Sequence, residues 1–260
     1  MAEGHPGAPP KRVRILLLGG TAEARHVSAE LAARPDIDLI VSLKGLTQQP
    51  RAYAGQVRTG GFGGVKGLCA YLLTNGIAAC IDATHPFAAQ MAKNAGEACT
   101  RAACPLIRLV RPEWQPGAGD NWIRVPSIAA AADAIPIDSV VFVALGALGS
   151  QLFAERSRAR MIVRTADPVQ PRNRIPGTTY VTGLPDGNAP AEADLLRRYG
   201  VTHVAVRNSG GSAGRGKLEA ARHLGLPVVM VERPQTGPGR VVSDVAAIRD
   251  WLRPIVGGEL

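Results

Sequence analysis

A chain of 260 residues, 46% of them hydrophobic, can bury one large core or two smaller ones without disulfide staples. Its net charge of +9 admits anionic partners, but aromatic residues make up only 4% of the chain and the arginines are dispersed. Base-stacking platforms are therefore few and a dense basic stripe is missing, and a nucleic-acid partner is not expected.

No apolar run reaches the roughly 18 residues of a membrane helix. The opening stretch MAEGHPGAPPKR has no apolar signal core. A flexible tail over 1–12 and a cytoplasmic protein without a membrane partner are the expectation. Apolar runs predict strands at 13–18, 37–42, 77–82, 105–109, 140–145, 160–165, 178–182, 202–207 and 227–232. Helical patterns alternate with them at 22–34, 64–75, 87–102, 127–134, 147–156, 190–199, 214–224 and 243–252. Short continuous apolar strands alternating with helices predict α/β architecture with mostly parallel sheets.

The first strand runs into Gly19-Gly20-Thr21, followed by Ala22, Glu23 and Arg25 in the opening turn of a helix. A glycine turn before a helix N-terminus can hold a phosphate on backbone N–H groups. The dinucleotide fingerprint G-x-G-x-x-G is broken, however, by Thr21 and Ala24. Thr21 is the expected N-cap, and its hydroxyl and the Arg25 charge could add to a phosphate site. The second strand ends LIVSLKG. It lacks the terminal acid that would bind an NAD ribose, Asp38 lying too early. Ser42 and Lys44 stand there instead and suit a 2′-phosphate, so NADP is expected.

A second glycine-rich turn, RTGGFGG at 58–64, carries Gly60 and Gly61. It could approach the cofactor's phosphates or adenosine, or serve only as a loop. The strand ending IDATHPFA brings Asp82, Ala83 and Thr84 to its carboxyl end, with His85, Pro86 and Phe87 next. His85 could position nicotinamide or substrate, donate a proton, or be structural. His26, His203 and His223 have no comparable setting. Cys69, Cys80, Cys99 and Cys104 fit neither a zinc spacing nor C-x-x-C, so they are expected to be small buried hydrophobes, and no metal site is expected.

Residues 111–126, RPEWQPGAGDNWIRVP, are rich in Pro and Gly and mark a boundary. Beyond it VVFVALGALGSQLF repeats the strand, glycine turn and helix. Two Rossmann-like lobes follow: 13–125 for NADP and 126–260 for substrate, with a ligand cleft between them. In NSGGSAGRGKLEAARHLG, Gly211–Lys217 matches G-x-x-x-x-G-K, but Leu218 replaces the hydroxyl residue that would hold magnesium. A kinase or ATPase is thus a minor alternative. The polar turn of Asn208, Ser209, Gly210 and Gly211, flanked by Arg207, Arg215 and Lys217, could bind carboxylate or phosphate, or simply cap a helix.

Four of these segments together resemble the precorrin-6A reductase family of cobalamin biosynthesis. They are LLLGGTAEAR at 16–25, DATHPFA at 82–88, RLVRPEW at 108–114 and RNSGGSAGRGKLEAARHLGLPVVMVERP at 207–234. The resemblance implies NADPH-dependent reduction of one carbon–carbon double bond in a linked-pyrrole macrocycle, giving precorrin-6B (dihydro-precorrin-6). It also implies a polyanionic tetrapyrrole substrate, for whose carboxylates Arg111, Arg164, Arg207 and Lys217 are candidates. His85, Pro86, Phe87 and the Asn208–Gly211 turn join them on the substrate side. Where the family commonly has Lys before N-S-G-G this chain has Arg207, which keeps the charge but cannot serve as a proton donor as lysine can. Its TGLPDGNAPAEADLL replaces an Arg-Gly-Pro-Phe-like segment, with Glu192 as the matching downstream acid. Two rival readings remain: an NADP-dependent reductase of another small anion, and a non-catalytic nucleotide- or anion-binding protein.

Overall fold

The computed structural model of the chain describes residues 12–45, 52–185, 187–235, 237 and 239–257. The tail expected at 1–12 lies outside these residues, except for Arg12. Two compact units are present. One comprises the described residues up to Arg111 together with those from Gln235 onward, and the other is Pro112–Pro234.

The first unit holds β1 (Val13–Leu18), α1 (Ala22–Ala32), β2 (Ile37–Leu43), β3 (Gln56–Thr59), α2 (Gly64–Thr74), β4 (Ala79–Asp82), α3 (Ala89–Arg101) and β5 (Leu106–Leu109). Its sheet order is β3-β2-β1-β4-β5, closed at the far edge by β12 (Arg240–Val242), and every pairing is parallel. The apolar run of β1 serves two cores at once. Ile15 and Leu17 point into a cluster with Val27 and Leu31 of α1 and with Ile248 and Leu252 of α8 (Val245–Val256). Leu16 and Leu18 point the other way, onto Leu68 and Leu72 of α2 and Ala95 and Ala98 of α3. Side chains alternate along a strand, so a strand covered by helices on both faces must be apolar throughout.

The second unit repeats this plan. It contains β6 (Trp122–Val125), α4 (Ile128–Asp133), β7 (Val140–Ala144), α5 (Gly146–Ala154), β8 (Arg160–Thr165), β9 (Thr179–Thr182), α6 (Ala189–Arg198), β10 (His203–Arg207), α7 (Gly216–His223) and β11 (Val228–Val231). Its sheet order is β9-β8-β7-β10-β11-β6, again all parallel. The runs β1–β5 and β7–β11 both read 3-2-1-4-5, the core of the doubly wound dinucleotide-binding order, and the sixth place is taken by β12 in one sheet and in the other by β6, which precedes its run. Each therefore has a switch point, between β1 and β4 in one and between β7 and β10 in the other.

The expected lobe boundaries need correction at both ends. The division near residue 125 falls too late, because β6 pairs with β11 and belongs to the second sheet. The span 126–260 is not one lobe either. After Pro234 the chain returns to the first unit, where β12 pairs with β5 and α8 covers the core. Each sheet thus takes its sixth strand from outside its run of five. The nine predicted strands and eight predicted helices are all present, with ends shifted by a few residues. The strands not expected, β3, β6 and β12, are all at sheet edges. They are three or four residues long and mostly exposed, so no apolar run marks them.

Cys80, Cys99 and Cys104 are buried, as expected of small hydrophobes, whereas Cys69 on α2 is only partly buried. Two of them close α3. The Cys104 N–H reaches the Cys99 carbonyl (2.9 Å) and the Ala103 N–H that of Thr100 (3.3 Å), with Ala103 at φ +50°. This is a Schellman stop, in which the flanking side chains meet. The hydrogen bond with Cys99, then burial, hold the Cys104 thiol protonated far above the usual thiol range. No helix among the described residues is long and apolar enough to cross a membrane.

Candidate functional site

In doubly wound sheets ligands bind at the carboxyl ends of the strands beside the switch point. The carboxyl ends of β1, β2 and β4 gather most of the candidates in the first unit. Gly20 has φ +122°, and a Cβ there would meet no atom within 4 Å, so this backbone faces open space. Gly19 is confined, since a Cβ would lie 3.1 Å from Leu43. Thr21 is the N-cap of α1. Its Oγ1 accepts from the Ala24 N–H (3.0 Å) and donates to the Ala83 carbonyl (2.8 Å). The hydroxyl at the position of the second fingerprint glycine thus ties the turn after β1 to the exit of β4. Its one proton is committed inside the protein.

Thr21→Val is expected to lower stability by about 1–3 kcal/mol, because it removes a helix cap and leaves the buried Ala83 carbonyl without its donor. Urea unfolding followed by far-ultraviolet circular dichroism checks this, and Thr21→Ser should recover most of the loss.

Tyr53, which nothing in the sequence singled out, reaches the same turn. Its Oη accepts from the Gly20 N–H (2.9 Å) and donates to the Thr21 carbonyl (3.2 Å). Ala22 is exposed at the start of α1, and Arg25 donates to the Thr21 carbonyl. Glu23 forms an ion pair with Arg111 (3.1 Å), so two candidates assigned to different ligands meet each other.

At the end of β2 Ser42 is buried and Lys44 exposed. The partner of Ser42 is Arg58, on β3. Arg58 Nη1 donates to Ser42 Oγ (2.6 Å) and to the Gly60 carbonyl (3.1 Å), and Nη2 donates to the Gly61 carbonyl (3.2 Å). The guanidinium lies 3.9 Å from the centre of the Phe62 ring. Arg58 was missed as a site residue, although it opens the RTGGFGG motif. Gly60, Gly61, Gly63 and Gly64 would all place a Cβ in open space, leaving this backbone accessible.

The DATHPF segment is built on a buried ion pair. Asp82 and Arg108 are 2% and 3% exposed, with Nε 3.1 Å from Oδ2. The other carboxylate oxygen of Asp82 accepts from the Thr84 N–H (3.1 Å) and hydroxyl (2.6 Å). The whole carboxylate of Asp82 is therefore spent on shaping the turn. His85 follows it, partly exposed, and its Nδ1 accepts from the Phe87 N–H (3.2 Å). A ring that accepts at Nδ1 carries its proton on Nε2. Pro86 is buried, and Phe87 lies 5.9 Å from the His85 ring.

In the second unit Arg207 ends β10, and its guanidinium lies against Gly146, the glycine turn that opens α5. Gly146 has φ +77°, and a Cβ there would sit 3.0 Å from Arg207 Nη2. Burial lowers the pKa of this arginine. Arg164, on β8, is paired with Glu192 of α6. Among the described residues Arg164 Nε, Glu192 Oε2 and Thr165 Oγ1 are buried without a hydrogen-bond partner.

The N-S-G-G turn is wrapped around Trp114. Asn208 accepts from the Trp114 N–H (2.9 Å) and donates to its carbonyl (3.1 Å), as a neighbouring strand would. The Gly211 carbonyl takes the indole N–H (2.8 Å), and a Cβ at Gly214 would lie 2.8 Å from the ring. Ser209 and Asn208 offer their carbonyls to Arg233. Gly210, at φ +67°, has no room for a Cβ, which would lie 2.1 Å from the Pro112 carbonyl oxygen. Lys217 is buried, donates to the Gly214 carbonyl (2.7 Å) and sits over the Trp114 ring. Asn208, Gly211 and Lys217 therefore do inward work, and the partial phosphate-loop pattern is a clamp on an indole.

The profile of the family described as Precorrin-6x reductase CbiJ/CobK matches residues 14–253. The chain is 39% identical over 241 residues to a precorrin-6A reductase of Rhodococcus erythropolis, covering 92% of this chain and 97% of that one. It is 37% identical over 240 residues to a precorrin-6A reductase of Rhodobacter capsulatus, covering 92% and 95%. The solved structure of CobK precorrin-6A reductase superposes with a TM-score of 0.86 at 36% identity, covering 94% of this chain and 97% of that one.

Proposed function

The chain belongs to the precorrin-6x reductase family, CbiJ/CobK, and with precorrin-6A reduction in cobalamin biosynthesis as premise we propose that NADPH is its hydride source, that precorrin-6B is its product and that it acts in the cytoplasm. Bound NADPH supplies a hydride to one carbon of a double bond in the macrocycle, and a proton at the neighbouring carbon completes the reduction. The observation that carries this reading is the open backbone at Gly20, beside the exposed start of α1 and in the same unit as the Ser42–Arg58 pair. Backbone N–H groups at a helix N-terminus fit a pyrophosphate. An arginine bonded to a serine at the end of β2, with no acid there, fits a 2′-phosphate and repels nothing.

In this reading Gly19, Gly20, Ala22, Arg25, Ser42, Lys44, Gly60 and Gly61 line the cofactor's path, with Arg58 added to them. Thr21, Asp82, Ala83 and Thr84 hold the turns in shape. His85 offers its Nε2–H as a hydrogen-bond donor that orients the reacting partners. The arginines beside the second switch point, Arg164 and Arg207, meet carboxylates of the macrocycle.

The test is Arg58→Ala. Loss of a charge-assisted contact to the 2′-phosphate should raise the dissociation constant for NADPH about 30-fold and leave that for NADH unchanged. Fluorescence titration of both reduced cofactors measures it. Equal weakening of the two, or none, would remove Arg58 from the 2′-phosphate. Binding of NADPH without its oxidation in the presence of precorrin-6A would favour a non-catalytic binding protein.

A further inference from the structure

The Tyr53 hydroxyl stands where a ligand's phosphate oxygen would be expected. It accepts the Gly20 N–H (2.9 Å), a donor of the residue whose Cβ position is open, and passes its own proton to the Thr21 carbonyl (3.2 Å). The contact is built rather than incidental. The ring packs on the apolar cluster of β1, β2 and α1. The side chain also lies over Gly19, where a Cβ would come within 3.4 Å of it. The next residue is tethered too, its Ala54 N–H donating to Ser28 Oγ (3.2 Å), a side chain buried on α1.

We propose that Tyr53 is an internal competitor for the cofactor: its hydroxyl holds the Gly20 N–H that a dinucleotide pyrophosphate takes, and binding proceeds by exchange of one oxygen for the other. This rests on the cofactor reading above. The exchange favours the ligand, because a phosphate oxygen is charged and makes the stronger bond to an N–H. It is opposed by loss of the Tyr53–Thr21 bond, since a phosphate oxygen has no proton to give that carbonyl. Tyr53 therefore weakens cofactor binding while keeping the turn ordered, and product cofactor leaves more readily for it.

Tyr53→Phe keeps the ring and removes the competing oxygen. The dissociation constant for NADPH, read by fluorescence titration, should fall about fivefold, the worth of one neutral hydrogen bond. That for 2′-AMP, which has no pyrophosphate, should not change. Urea unfolding of the variant should show the same slope and a slightly lower midpoint, confirming an intact fold. Unchanged or weaker NADPH binding by Tyr53→Phe, with normal binding by the parent chain, overturns the competitor role and leaves the cofactor site standing. Failure of the parent chain itself to bind NADPH overturns both.

Discussion

Replacing Asp82 by Ala is expected to destabilise the chain by about 3–5 kcal/mol, because it strands a buried guanidinium. Arg108 is 3% exposed and its ion-pair partner is Asp82, itself 2% exposed. Removing one member of such a pair leaves an uncompensated charge away from water. Removing both can be nearly neutral if the space is filled. Asp82→Ala combined with Arg108→Leu should therefore be milder than Asp82→Ala alone. Asp82→Asn should resemble the alanine variant, since it can still accept from Thr84 but no longer balances the charge. Urea unfolding of the single and double variants measures the cycle. If the double variant is as unstable as the sum of the singles, the pair is not what holds this turn.

Replacing His85 by Ala is expected to lower kcat/KM for precorrin-6A about 100-fold with stability little changed, the usual size of effect when one preorganised donor is lost. Nδ1 already accepts the Phe87 N–H, which places the proton of the neutral ring on Nε2. His85→Gln retains an N–H donor and should recover much of the rate. Steady-state NADPH oxidation checks both variants. An unchanged rate in His85→Ala would take the residue out of the reaction. A glutamine as impaired as alanine would point to proton transfer in place of orientation, since an amide cannot supply the proton.

Much of the site was visible as motif and little of it as role. GGTAEAR, RTGGFGG, DATHPF and NSGG stand out because each breaks a periodic pattern with glycines and small polar residues. The sequence does not show which way a side chain turns. Thr21, Asp82, Asn208 and Lys217 all carry groups that could meet a ligand, and in the fold each is bonded to another part of its own unit. Arg108 and Trp114 stand in RLVRPEW with nothing local to distinguish them. Their weight comes from partners 26 and 97 residues away along the chain. Arg58 was within reach of sequence reasoning, as the cation that opens the glycine-rich turn RTGGFGG. Tyr53 was not, for its contact with Gly20 spans 33 residues and follows no periodicity.

By itself the sequence determined the repeated strand–turn–helix plan, the buried strands and the glycine positions. These are local consequences of burial period and backbone freedom, and each can be read within a window of a few residues. Tertiary structure alone decided where the units divide, which edges β6 and β12 complete, and which polar groups face inward. Those outcomes depend on pairing between distant segments. An edge strand of three or four half-exposed residues buries too little apolar surface to announce its partner.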